Sequence, residues 1–153
     1  MKKTLQIQIP EGFKIDNFDI NSGVVKFTPI PKNIIERVKS IDDAINELGE
    51  TDVEVAELRK LENANITSHI LYKQQAVVIA KALNEGWIAD YTNSDQTKYE
   101  VRFYYDSSAG GFVYFVLDDW YSGTRVGSRL CFHSSELAKY FGKQFIEIHR
   151  KYL

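Results

Sequence analysis

Six side chains in the second half of the chain combine the properties that hold planar or charged partners. Arg102 and Tyr104 share one face of a strand-like run, Trp120 and Tyr121 sit in a turn, and Arg125 and Arg129 follow shortly after. Lys98 lies near the end of the same run, and Arg129 is expected on the same sheet face. Exposed rings with arginines on a sheet stack bases and pair phosphates in single-stranded nucleic-acid platforms. The same residue types are enriched at protein interfaces. A blander reading packs the rings under helices and leaves the arginines paired to Glu100 or Asp118.

Catalytic and metal-binding patterns are thinner. Cys131 and His133 stand at i and i+2, so on a strand they share a face and a thiol nucleophile with a base is conceivable. A lone cysteine between Leu130 and Phe132 reads more simply as a small buried hydrophobe. Asp118 and Asp119 are adjacent carboxylates, yet turns favour Asp for conformational reasons. His69, His133 and His149 lack an HExxH or CxxC companion, and no D-x-D-x-D-G loop occurs, so no metal site is expected. GxxxxGK[ST], a strand-borne GxGxxG and GxSxG are all missing. The string RVGSR at 125–129 has one glycine and leads into a strand-like run, unlike a phosphate loop. No catalytic residue and no cofactor is predicted.

Composition narrows the classes further. The 153 residues suit one domain, with 44% hydrophobic and 26% charged residues, and an aromatic share of 13% that points to a ring-rich core or interface. A formal charge of -2 and a pI near 5.9 argue against a dedicated polyanion binder. Charge is nonetheless uneven. Residues 41–62 hold eight carboxylates against Arg59 and Lys60, whereas residues 121–153 hold six Lys and Arg against Glu136 and Glu147. Two solvated helix faces account for this, or a molecule with an acidic and a basic partner-facing side. The alternation at 4–9 lacks a continuous apolar segment, and no apolar run reaches the roughly 18 residues of a membrane span. A single Cys131 forms no internal disulfide. A cytoplasmic location without membrane contact is the expectation.

The elements that must position these residues follow from periodicity and punctuation. Leu5, Ile7 and Ile9 alternate as a half-buried strand ended by Pro10-Glu11-Gly12. A second strand runs over 24–28, between Asn21-Ser22-Gly23 and the prolines Pro29 and Pro31, while 13–20 reads as a connector too long for a tight hairpin. Ser40 with Asp43 opens a helix that Gly49 ends, and Thr51 with Glu54 opens an acidic one through about Leu61. A third helix is predicted over 67–85, ended by Gly86. Three strand-like runs follow, at 99–105, 112–117 and 126–132, the first two joined across Asp106 to Gly111. The middle run is apolar on both faces and reads as a central strand. Ser134 caps a last helix carrying Leu137, Phe141, Phe145, Ile148 and Tyr152 on one stripe, with Gly142 implying a close approach. The order ββ-ααα-βββ-α predicts a single α+β domain, with an antiparallel sheet of about five strands against three to four helices.

The strings LNEGW at 83–87, YTNSDQTKY at 91–99, GGF at 110–112 and GSRLCFHSSELAKYFGKQF at 127–145 carry a further signal. Together with SIDDAINELG at 40–49 they resemble a family of small uncharacterised proteins from Bacteroidetes and their phages. The resemblance implies a bacterial or phage source, and IADY at 88–91 departs from that family's proline-containing form. The leading expectation is a non-catalytic binding module acting on another protein, with a homo-oligomer as one variant. The alternative is a nucleic-acid-binding accessory protein using Arg102, Tyr104, Arg125 and Arg129. An enzyme with its site around 91–98 and 118–120 ranks third.

Overall fold

The computed structural model describes residues 6–30 and 32–153, the side chain of Val116 aside. The chain divides after Asn33 into two compact units. In the first, β1 (Phe13–Asp19) pairs antiparallel with β2 (Val24–Pro29). The Asp19 carboxylate accepts from the Asn21 amide at 2.8 Å and the Ser22 hydroxyl at 2.6 Å, and Gly23 takes a positive φ of 68°, which closes the turn. This corrects the predicted first strand. Residues 6–10 are irregular, positions 4 and 5 lie outside the described residues, and the expected connector is itself the strand. A register shift between Ile15 and Asn17 breaks the two-residue alternation that would have marked it.

The second unit carries the core. Its helices are α1 (Ile34–Arg37), α2 (Ile41–Leu48), α3 (Val53–Asn63), α4 (His69–Leu83), α5 (Ser135–Gln144) and α6 (Ile146–His149). Ser40 and Asp43 form the expected reciprocal cap of α2, whereas Asp52 rather than Thr51 caps α3. Helix α4 is central, with Ala76 to Ala80 all buried, and it packs against α2, α3 and α6. Leu58, Ile79, Leu83, Phe132 and Phe141 are fully buried around it, each contributing about 2 kcal/mol of apolar burial.

Strands β3 (Lys98–Asp106) and β4 (Gly111–Trp120) form an antiparallel hairpin, and α5 packs on one face of it. The third predicted run shrinks to one bridge between Tyr99 and Phe132, with amide-to-carbonyl distances of 3.0 and 2.9 Å. Gly127 at φ 79° turns the chain out of extended geometry, and Ser128–Leu130 coils into a 3-10 turn. The fold is α+β, and among the described residues four strands, with the bridge at Phe132 as a fifth extended piece, fall in the predicted order, divided between two antiparallel sheets. The last helix is broken at Phe145, whose ψ of 27° lies outside the helical well. Among the described residues no helix is long and apolar enough to cross a membrane.

Candidate functional site

The β3–β4 hairpin is closed by Asp106, which accepts from the Ser108 amide at 2.9 Å and its hydroxyl at 2.6 Å. Strand alternation then sorts the side chains. Val101, Phe103 and Tyr114 face α5, while Lys98, Glu100, Arg102 and Tyr104 point the other way. A bulge between Arg102 and Phe103 leaves Phe115 as the extra residue, 57% exposed and edge-to-face with Tyr104 at 5.3 Å. Beside this ring pair, Asp118 receives two arginines. Arg102 Nε lies 3.4 Å and Arg125 Nη1 3.1 Å from the same Oδ2. The Arg125 guanidinium also sits 4.8 Å from the Trp120 ring, whose buried Nε1–H has no acceptor among the described residues.

Two buried charges hold the loop that delivers Arg125. Lys98 is fully buried, and its ammonium donates to the carbonyls of Asn93 and Tyr121, both at 2.8 Å. Glu100 is 2% exposed and accepts from the Thr124 hydroxyl and, at 3.2 Å, from the Arg125 amide. Thr124 in turn accepts from the Gly127 amide at 2.8 Å. With its backbone bonded to Glu100, Arg125 sends its guanidinium outward, to Asp118 and Trp120. The sequence reading set Lys98 near the end of its strand and missed both its burial and the role of Glu100 as a loop anchor. Their i, i+2 spacing on one strand face was the available signal, since two opposite charges beside a polar loop can each be satisfied by it.

Of the six residues singled out, Arg102, Tyr104, Trp120 and Arg125 come together on this outward face. Tyr121 is 53% exposed in the adjoining loop and contributes its carbonyl to Lys98. Arg129 does not join them. It leaves from the 3-10 turn and pairs with Glu54 of α3 at 3.2 Å, on the wall of a separate groove of about 340 Å³ that Lys81, Trp87 and Ile88 also line. The expectation that Arg129 shares the sheet face is thus corrected, because the Gly127 turn redirects it.

The nucleophile geometry is unfavourable. The Cys131 thiol donates to the Ser128 carbonyl at 3.3 Å and accepts from the Tyr91 hydroxyl at 3.7 Å, and burial pushes it up from its ordinary pKa. Burial likewise pushes the Tyr91 phenol up to about 12. His133 instead meets the Trp87 ring edge-on at 6.0 Å, and its backbone amide donates to Asn84. Among the described residues no three His, Cys, Asp or Glu side chains cluster as metal ligands. The outward face presents flat apolar rings and two guanidinium groups sharing one carboxylate. Comparison of the chain with protein-family models, with curated proteins and with solved structures found no match.

Proposed function

We propose that this protein is a non-catalytic binding module that engages another protein through the outward face of the β3–β4 hairpin, in the cytoplasm of a bacterial or phage-infected cell. The observation that carries the reading is the exposed Tyr104–Phe115 pair beside Arg102 and Arg125. Aromatic rings and arginines are the anchors that dominate protein interfaces, because they bury much area at small conformational cost. Both arginines share Asp118, so the face holds little net positive charge. That balance suits a partner with an apolar anchor and one carboxylate better than it suits a phosphate chain, whose affinity rests on unneutralised cations.

A photoreactive phenylalanine analogue at position 115 tests this in cells of the natural host. The expected product is a covalent adduct with one protein, lost when Arg102→Glu and Arg125→Glu are combined. Adducts chiefly with nucleic acid, or protein adducts that ignore the charge reversal, would contradict it.

A further inference from the structure

Strand β4 is at odds with its own sequence. Residues 112–117, Phe-Val-Tyr-Phe-Val-Leu, are apolar on both faces, the pattern of a strand with neighbours on each side. Yet among the described residues β4 pairs only with β3, and the Tyr99–Phe132 bridge lies on the far side of β3. The ten-residue β4 is therefore the edge of the sheet. Soluble proteins protect such an edge with lysine, proline or brevity. Residues 113–117 carry none of these, and the protection at the start of the strand is the Arg150 guanidinium, which donates to the Phe112 carbonyl at 2.9 Å.

The charges around that edge are arranged head to tail. At the Gly111 end, on the face that α5 covers, exposed Lys143 lies 5.2 Å from the Tyr114 ring and Arg150 adjoins Gly111. At the other end Asp119 pairs in register with Tyr99, which puts its side chain on that same face. Asp119 is exposed and has no ion-pair partner among the described residues, whereas Asp118 faces the opposite way and is taken by two arginines. An antiparallel strand brought against β4 by a two-fold axis sets the acidic end of one chain beside the basic end of the other. A second copy of this chain supplies that complement at both ends at once.

We infer that β4 pairs antiparallel with β4 of a second copy, forming a continuous sheet across a two-fold axis, with Asp119 of each chain against Lys143 of its partner. Backbone bonds along the edge supply affinity, and the two ion pairs fix direction. The inference goes beyond the proposed binding face, which lies on the opposite side of the sheet; pairing would place two such faces side by side.

Sedimentation velocity across a hundredfold range of concentration tests it. The mass is expected to rise from 17.6 kDa towards twice that value. Asp119→Lys is expected to weaken the dimer at least tenfold, and adding Lys143→Asp to restore it. Both positions are exposed, so circular dichroism should show each variant folded. A monomer at every concentration overturns the inference. So does a dimer that ignores Asp119→Lys, or a weakened one that Lys143→Asp does not rescue. The Arg102→Glu/Arg125→Glu protein is expected to dimerise like the unaltered chain, so failure of the binding face and failure of the dimer are separable.

Discussion

His149 is fully buried, with Nε2 3.0 Å from the Phe141 carbonyl and Nδ1 2.9 Å from the Tyr152 hydroxyl. A carbonyl can only accept, so Nε2 carries the proton and Nδ1 accepts from Tyr152. Both nitrogens are then satisfied by a neutral ring. Burial, helped by the nearby Lys73 cation, lowers its pKa from 6.5 to about 4. The unfolded chain therefore binds a proton that the native chain refuses. This stabilisation is complete above pH 6.5 and is lost as pH falls towards 4, by about 3 kcal/mol in all. Urea denaturation at about pH 7 and about pH 4 should show that loss, and His149→Gln should remove it from the difference. Lys98 makes a second case at this scale. Lys98→Met would strand the carbonyls of Asn93 and Tyr121, costing about 3 kcal/mol. Denaturant midpoints would measure the cost, and faster proteolysis within 121–127 would show that the loop carrying Arg125 had been released.

Among the elements, those announced by local chemistry were legible and those shaped by a single backbone departure were not. Ser40 with Asp43, Ser134, and the Asp106–Gly111 turn all read correctly, because each is a contact between residues a few positions apart. The first strand was missed because its bulge interrupts the alternation, and the run at 126–132 was overread because Gly127 alone decides its path. Gly142 was read as a close approach between backbones. The approach is to side chains: a Cβ there would lie 2.7 Å from Val101 Cγ1 and 2.8 Å from Tyr114 Cδ2. Gly142→Ala thus gains about 1 kcal/mol of helix propensity but overpacks the contact between α5 and the sheet, at a cost of about 1–3 kcal/mol. The expected net effect is a lower melting temperature. A variant more stable than the parent chain would mean that α5 can shift away from the hairpin.

At the scale of the whole molecule, the uneven charge seen in the sequence is largely resolved within the chain. Glu50 and Glu62 pair with Arg59, Glu57 with Lys60, Asp52 with Lys81, Glu54 with Arg129 and Glu47 with Arg37. Exposed pairs of this kind add little stability each, yet they leave the acidic helices little field to offer a basic partner. The surface that stands out is instead the hairpin face, where burial of Lys98 and Glu100 presents Arg125 beside exposed rings. The types of Arg102, Tyr104, Trp120 and Arg125 and the strand alternation of Arg102 and Tyr104 made part of this face legible from the sequence, whereas Asp118 to Trp120, read as a turn, continue strand β4, and Arg125 reaches the face from a loop. Arg129 was misplaced because its position depends on a turn, and the two buried charges because burial is a property of the assembled loops. Hydrogen–deuterium exchange on the protein with the partner captured at position 115 is the most direct test of where binding occurs. Binding through the hairpin face predicts new protection in residues 102–105 and 112–125; protection confined to the groove at 77–89 and 128–129, with the hairpin unchanged, would contradict it.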